Sequence, residues 1–228
     1  MRKILLLCCC LLMLSSRAYT GEIRDDFEDG NANGWNEVAG GWEVQDGAYV
    51  QLGMDLDGVD VIPRTIIQSP WDFDNGTIEV NIAFDRQAAG SEIACILYRM
   101  IDDDNGYIFC LSSTHLTVGK LVAGVFADIR GDAYPVNTDK TINIKLVVDG
   151  IFTKVYYDGT ITNRIGDPEG TGDEKGKVGL AVRDANQPVY FEDIVISGGS
   201  VSPFLEFEGK AIEPAGKLAS AWGRIKIR

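Results

Sequence analysis

Histidine is almost missing from this 228-residue chain, which contains only one. The shortage argues against a Ser-His-Asp triad, a histidine-rich zinc site and an HExxH motif. Basic residues are also few, because 21 Lys and Arg face 34 Asp and Glu and the formal charge is -13. No basic surplus exists to neutralise phosphate groups, which argues against a partner among nucleic acids or anionic lipids. With 45% hydrophobic and 24% charged residues, the composition is that of a globular protein.

Long apolar runs are confined to the N-terminus. Residues 1–18 begin with two basic side chains, continue with an apolar run over residues 4–14 and end at the small residue Ala18, after which we predict cleavage of a signal peptide. The run is well short of the about 20 residues that a membrane span requires. We therefore predict a secreted, periplasmic or extracellular protein with no membrane span after cleavage. A retained anchor, or lipid on one of the cysteines at 8–10, is the alternative.

The rest of the chain divides into two parts by composition. Residues 19–199 carry 13 basic and 31 acidic side chains, a net charge of -18, and we interpret them as one domain. The stretch GGSVSP is typical of a linker. Residues 200–228, with five basic and three acidic side chains, are predicted to form a linker and a basic C-terminal tail. The acidity belongs to the domain alone, which strengthens the exclusion of nucleic acid and favours cation binding.

Turn-forming pairs punctuate the domain at short intervals. Asp-Gly begins at positions 29, 46, 57, 149 and 158 and Asn-Gly at 33, 75 and 105, and both pairs tolerate the positive φ angles of tight hairpin turns. No window after residue 18 shows the 3.6-residue period of a helix. We predict an all-β sandwich or barrel with little or no helix. Its predicted strands, about 13 in number, lie near residues 22–28, 41–45, 47–52, 64–68, 76–84, 92–99, 106–112, 114–118, 121–129, 140–148, 151–157, 176–183 and 189–196.

Two cysteines lie outside the N-terminal segment, in predicted strands on either side of one hairpin. The segments EIACILYR and YIFCLSS carry Cys95 and Cys110, with the turn-rich sequence IDDDNG between them. A turn centred between Asp102 and Asp103 places the cysteines directly opposite each other, where an exported protein can oxidise them to a disulfide. A register shifted by one residue places them on opposite faces and prevents the bond. A disulfide and two buried free thiols are both left open.

Five segments of the domain follow one another in a characteristic order. They are DDFEDGNANGWNEVAGGWEVQDGAYVQ, NGTIEVNIAF, ILYRMIDDDNGYIFCLS, INIKLVVDGIFTKVYYDG and GKVGLAVRDANQPVYFEDIVISG. Over residues 24–197 this order resembles the laminin G-like, concanavalin A-like jelly roll, and it is most similar to the bacterial domains grouped with 3-keto-disaccharide hydrolases. The resemblance implies two antiparallel sheets, one convex and one concave, with ligands on the concave sheet or at the loops along its edge. Such domains include lectins, enzymes and passive modules, so fold is implied more strongly than activity.

Acidic residues at the two ends of the domain indicate a cation site. Asp26 and Glu28 are two residues apart, so they share one face of the first predicted strand. The resemblance implies that the first and last strands lie close together, which brings Asp193 of the segment YFEDIVIS nearby. We predict a structural calcium held by Glu28 and Asp193, with Asp26, Asp29 and backbone carbonyls as further ligands. The alternative is that these are solvated acids at strand ends.

Sugar-binding residues are predicted around the cysteine hairpin and in two loops. Sugars are held by flat aromatic faces and by planar polar side chains. Such residues are Tyr98, Arg99 and Tyr107 beside the hairpin and Trp71 and Tyr134 in predicted loops. Arg99 also matches an arginine that frequently follows an aromatic residue in the similar domains. For the aromatic residues the alternative is packing in the core, and the two tryptophans of GWNEVAGGW are predicted core anchors.

Catalytic residues are not assigned from the sequence. Enzymes of the superfamily commonly carry their carboxylates on one strand as Glu-x-Asp-x-x-Glu, and this pattern does not occur in the chain. We predict a secreted, non-catalytic, lectin-like module that binds carbohydrate. Two alternatives are retained, a hydrolase acting on keto-disaccharides or related glycans and a structural or adhesive module without a small ligand.

Overall fold

The computed structural model describes residues 21–52, 62–69, 71–85, 93–183 and 187–201. The predicted signal peptide and almost all of the predicted C-terminal tail lie outside these ranges. Within the ranges the chain forms strands and no helix, and hence no helix that could cross a membrane. The strands are β1 (Gly21–Asp25), β2 (Trp35–Ala39), β3 (Trp42–Gln45), β4 (Ala48–Gln51), β5 (Arg64–Ile67), β6 (Gly76–Phe84), β7 (Ile93–Met100), β8 (Gly106–Leu111), β9 (His115–Val122), β10 (Val125–Ala133), β11 (Ile142–Asp149), β12 (Phe152–Tyr157), β13 (Thr160–Gly166), β14 (Lys177–Arg183) and β15 (Val189–Gly198).

The strands form two antiparallel sheets, which confirms the predicted sandwich. The eight-stranded sheet has the order β13-β12-β11-β6-β15-β4-β3, and β1 also pairs with β15. On β15, β4 pairs with residues 189–191 and β1 with residues 194–198, so these short strands follow each other along one edge. The seven-stranded sheet has the order β10-β9-β8-β7-β14-β5-β2. Pairing of β1 with β15 joins the two ends of the domain, as the resemblance implied.

The main core lies between the two sheets. Strand β6 shows the alternation that builds it, because Ile78, Val80, Ile82 and Phe84 point inward and are buried while the residues between them are half-buried. Each fully buried side chain of this size contributes roughly 1.5–3 kcal/mol to folding. Inward-facing residues of the other sheet, such as Ile96 on β7, complete the same cluster.

Aromatic side chains fill the core beside the opening strands. The ring centroid of Trp42 lies 5.2 Å from that of Tyr49 and 5.9 Å from that of Phe191. Trp35 is half-buried, lies 5.8 Å from Tyr49 and donates its Nε1–H to Oδ2 of Asp25 at 2.9 Å. Both tryptophans therefore anchor the core, as predicted from the sequence.

The seven-stranded sheet is also buried on its outer face, the face that points away from the eight-stranded sheet. The sequence reflects this, because β7 (IACILYRM) and β8 (GYIFCL) are continuous apolar runs and do not alternate. We call the residues on that face the outer cluster; it consists of Ile66, Cys95, Leu97, Met100, Ile108, Cys110, Leu121 and Ala181.

The hairpin of β7 and β8 folds back over the outer cluster. Arg99 has a φ of 50° at a bulge in β7, and bulges bend the strand that carries them. Arg64 of β5 lies in the same cross-strand row as Cys95, far along the sheet from the hairpin turn. Its Nε nevertheless donates to the main-chain oxygen of Asp103 at 2.6 Å, and its Nη2 donates to Asp104. These contacts require the turn to curl back across the face of the sheet.

A second contact closes the same face. Phe126 of β10 packs against the outer cluster, and Cζ of Arg183 on β14 lies 4.3 Å from the centroid of its ring. Three strands lie between β10 and β14, so the contact spans the outer face. The β9–β10 turn joins the β7–β8 turn through a hydrogen bond of 2.9 Å from Gly124 N to Asp104 O. We call the two turns, together with Arg64 and Arg183, the hairpin clasp.

A disulfide lies in the outer cluster. Cys95 and Cys110 face each other in the β7–β8 ladder, their Cα atoms are 4.2 Å apart, and their sulfur atoms are bonded. Of the two registers that the sequence left open, the structure has the one centred between Asp102 and Asp103. Of the two states that the sequence left open, the structure has the disulfide.

Candidate functional site

Arg99, the first predicted sugar ligand, is buried at the bulge in β7. Its side chain is 2% exposed, and its Nε donates to the main-chain oxygen of Asp74 at 2.7 Å. Its Nη2 donates to Oδ1 of Asn75 at 3.2 Å, and Nη1 lies 3.6 Å from a carboxylate oxygen of Glu174. The guanidinium thus ties the bulge to two loops, and its hydrogen-bonding capacity is directed inward.

Tyr107 belongs to the same buried polar cluster. Its hydroxyl donates to Oδ2 of Asp167 at 2.7 Å, and Nζ of Lys120 lies 2.5 Å from the same carboxylate oxygen. Burial opposes ionisation of Asp167, but the hydrogen bonds from Lys120 and Tyr107 outweigh it and hold the pKa of this carboxyl below its usual value. Burial and the hydrogen bond to Asp167 raise the pKa of Tyr107. These groups satisfy one another and form a structural network.

The other predicted aromatic ligands are packed against protein. Tyr98 stacks on Tyr107 with centroids 5.4 Å apart, and burial raises its pKa to about 12. Trp71 is 6% exposed within the main core, and Tyr134 packs against Tyr157 at 5.1 Å. A sugar cannot stack on a ring whose faces are covered by protein, so the assignment of Tyr98 and Trp71 to a sugar site is corrected to core packing.

The predicted calcium ligands make contacts with other protein groups. Asp193 pairs through Oδ1 with Arg24 at 2.8 Å and accepts a hydrogen bond at Oδ2 from Asn81 at 3.2 Å. Glu28 lies at the β3–β4 turn, close to Gly47, and Asp26 accepts a hydrogen bond from the backbone N–H of Glu28. Across the described parts of the chain, no group of three or more His, Cys, Asp and Glu is arranged to hold a metal ion. The calcium site of Glu28, Asp193 and backbone carbonyls stays a prediction from the sequence.

The outer face of the eight-stranded sheet is polar and open. Asn143 of β11 donates from Nδ2 to Oε1 of Glu79 at 3.1 Å and to Oδ1 of Asn81 at 3.0 Å. Lys145 pairs with Glu79 at 3.2 Å, and Asn81 continues the chain of contacts to Asp193. Together with Arg24 these side chains form a continuous line of polar contacts across four strands, which we call the polar network.

Two further residues extend this face on β15. Glu192 lies opposite Asn81 in the β6–β15 ladder and is half-buried. Burial first, and then the adjacent charge of Asp193, raise the pKa of Glu192. Tyr190 is also half-buried and lies opposite Ala83. The face therefore combines two amides held by hydrogen bonds, a carboxyl group with a raised pKa and an aromatic ring.

Of the residues in the polar network, sequence reasoning singled out Asp193 but missed Glu79, Asn81 and Asn143, although a signal was present. In GTIEVNIAF and INIKLVVD the apolar residues alternate with Glu79, Asn81, Asn143 and Lys145. Alternation in each strand predicts one polar face. The polar residues of two strands form a single surface only if the strands are neighbours in the sheet, and the sequence pattern does not show this. Because β6 pairs with β11 across more than 50 residues of sequence, the row becomes visible only in the fold.

Solved structures similar to this one come from glycan-binding and glycan-cleaving proteins. The carbohydrate binding module CBM66 from Bacillus subtilis matches with a TM-score of 0.59 at 18% identity, over 73% of this chain and 97% of that one. A β-glucanase from Bacillus licheniformis matches with a TM-score of 0.57 at 10% identity, over 77% of this chain and 97% of the other. An endo-β-galactosidase from Clostridium perfringens, which releases GlcNAcα1-4Gal, matches with a TM-score of 0.56 at 8% identity, over 77% of this chain and 62% of its own.

The fold is a concanavalin A-like jelly roll. At identities of 18% and below, the likeness shows the fold alone. No protein-family model matches the sequence, and no curated protein matches it. The finer grouping with 3-keto-disaccharide hydrolases stays a prediction from the resemblance.

Proposed function

We propose that the mature chain is a secreted carbohydrate-binding module without catalytic activity. The similar structures include a carbohydrate binding module and a β-glucanase, each covered over 97% of its length. This supports a glycan as the partner. It does not separate binding from hydrolysis, because both activities occur on this fold.

The apolar, covered outer face of the seven-stranded sheet favours binding over hydrolysis. Glycoside hydrolases need two carboxyl groups, about 5–5.5 Å apart for retention or about 6.5–9.5 Å apart for inversion, with access for the sugar. On the outer face of this sheet the central positions are Ile, Leu, Cys, Met and Ala, and the hairpin clasp covers them. This face offers neither an acid pair nor access, which supports the non-catalytic part of the proposal for the seven-stranded sheet. The carboxyl groups on the open face of the other sheet, Glu79, Glu192 and Asp193, are tested by the product assay.

Export is supported by two independent features. The N-terminal segment has the pattern of a signal peptide, and a disulfide of the kind formed by Cys95 and Cys110 persists in oxidising compartments. A net charge of -18 over residues 19–199 suits a soluble extracellular domain that avoids anionic surfaces.

Glycan binding and glycan cleavage are tested on the same preparation. The chain from residue 19 onward is applied to a glycan array and to affinity gels containing polysaccharides, and the same polysaccharides and keto-disaccharides are incubated with it and assayed for released product. Retention without product is expected. Turnover would establish the hydrolase alternative, and absence of retention on all glycans would leave the structural or adhesive module as the better description.

A further inference from the structure

Resting on the proposed function, we propose that the carbohydrate site is a patch on the outer face of the eight-stranded sheet and that its ligand is a neutral glycan. The patch consists of Tyr190, Glu192, Asn81 and Asn143. Strand register fixes three of them in one row, because Asn143 pairs with Asn81 and Asn81 with Glu192. Tyr190 lies two residues before Glu192 on β15, about 7 Å along the strand and on the same face.

The row presents hydrogen-bond acceptors in fixed positions. Both N–H groups of the Asn143 amide are used within the polar network, on Glu79 and Asn81, which holds the amide in one orientation. Its Oδ1 accepts no hydrogen bond from the described residues, and within the same ranges the Glu192 carboxyl group has no hydrogen bond or ion pair. Sugar hydroxyl groups are donors that fit two such acceptors, which lie on β11 and β15 on either side of β6 and hence about 10 Å apart across the sheet.

Tyr190 supplies the apolar part of the patch. Its partners across the two ladders are Ala83 on β6, whose methyl group is too small to cover a neighbouring ring, and Val50 on β4, which is buried. The ring is half-buried and lies beside the row of acceptors. A pyranose or furanose ring can therefore place its C–H face on Tyr190 while its hydroxyl groups reach Glu192 and Asn81.

Local charge selects against acidic sugars. Next to the row the charges are paired, Glu79 with Lys145 and Asp193 with Arg24, whereas Lys154 of β12, which makes no ion pair with a described residue, lies toward the far edge of the sheet. Glu192 adds a negative charge that no described cation pairs with, and the domain around it has a net charge of -18. Uronates and sulfated sugars would be repelled, which leaves a neutral glycan as the ligand class.

Two tyrosines on the same face allow a matched test. Tyr156 on β12 lies opposite Lys145, three strands and about 14 Å from Tyr190 across the sheet. Affinity gels and calorimetry compare the wild-type chain from residue 19 onward with three variants of it, which are Tyr190→Ala, Glu192→Gln and the control Tyr156→Ala. The probes are a neutral glucan, a neutral fructan, a neutral galactan and polygalacturonate.

The wild-type chain is expected to bind at least one neutral polysaccharide and not polygalacturonate. Loss of the stacking surface in Tyr190→Ala should weaken binding about tenfold or more, whereas Tyr156→Ala should change it less than about twofold. Unchanged melting temperatures show that the variants remain folded. If the wild-type chain binds no glycan, the proposed function fails and the site with it. If it binds and Tyr190→Ala and Glu192→Gln bind equally well, or if polygalacturonate is preferred, the proposed function stands and the site is overturned.

Discussion

Reduction of the Cys95–Cys110 disulfide is expected to cost a measurable part of the stability of the domain. The bond links residues 15 apart in sequence. Closing a loop of this length lowers the entropy of the unfolded chain and stabilises the folded state by about 3 kcal/mol at 25 °C. For a domain of this size that corresponds to a fall in the melting temperature of about 6–12 °C.

The assay is equilibrium unfolding in urea, followed by tryptophan fluorescence, on the chain from residue 19 onward with and without a phosphine reductant. Incubation in denaturant gives the reductant access to sulfur atoms that are buried in the folded state. A Cys95→Ala/Cys110→Ala variant is the control, and its unfolding curve should not respond to reductant. Two free thiols in the unfolded, unreduced protein, or equal free energies of unfolding with and without reductant, would refute the reasoning.

Three further predictions concern the clasp, the buried acid and calcium. Arg64→Met removes the contacts to Asp103, so it should lower the free energy of unfolding by about 1–3 kcal/mol and speed exchange of amide hydrogens in the β7–β8 turn. The control Lys145→Met on the open face should lower the free energy of unfolding by less than about 0.5 kcal/mol. Equal losses in the two variants would contradict the clasp. Because the folded pKa of Asp167 lies below its unfolded value of about 3.9, its contribution to stability is complete above that pH and is lost as the pH falls through the folded pKa. Urea unfolding of Asp167→Asn should therefore show a shallower loss of stability in acid than the wild-type protein, and identical pH profiles would exclude this role. Calcium should leave the melting temperature unchanged relative to chelator because Asp193 is paired with Arg24, and an increase that Asp193→Asn abolishes would restore the calcium site predicted from sequence.

Turn chemistry was sufficient to predict most of the sheets. The hairpin between β7 and β8 was predicted from its turn residues, and of the two registers left open the structure has the one centred between Asp102 and Asp103. Two of the 15 strands, β2 and β13, were not predicted. Both are edge strands of their sheets with mostly exposed or half-buried side chains, so they lack the alternating apolar pattern. Their extended form depends on backbone pairing with β5 and β12, which no local pattern records.

Strand β9 shows a related error at a glycine. The strand predicted from the sequence ended near residue 118, one residue before Gly119. In the structure β9 continues to Val122, and the Phe126 ring packs on Gly119, where an added Cβ would lie 2.9 Å from a ring carbon and 2.5 Å from the oxygen of Ala127. The glycine is required by close approach of the folded-over hairpin, a contact between strands that local propensity does not reveal.

The sugar-binding residues were predicted from residue type, and the structure shows that three of them, Tyr98, Arg99 and Tyr107, are buried. Tyr98, Arg99 and Tyr107 are the kinds of side chain that bind sugars, and their position beside a polar turn suggested exposure. The sheet that carries them is covered on both faces, so the same residues became a network that fixes the bulge. A continuous apolar run in β7 was the available sign of burial on both faces, and it outweighs the identity of single residues.

The closed and open faces of the sandwich follow from one constraint. An outer cluster of eight buried apolar residues would form an adhesive patch if it faced water, so the chain must cover it, and the bulge at Arg99 lets its own hairpins do so. The eight-stranded sheet has no outward cluster of this kind among the described residues, because amides and paired charges such as Asn143 and Glu79 with Lys145 occupy the centre of its outer face. Burial of one face therefore leaves the other as the broad sheet surface available to a ligand. A variant that makes the outer cluster polar, such as Leu97→Asn, should destabilise the domain and loosen the clasp without creating a glycan site, and hydrogen exchange together with affinity gels would detect either outcome.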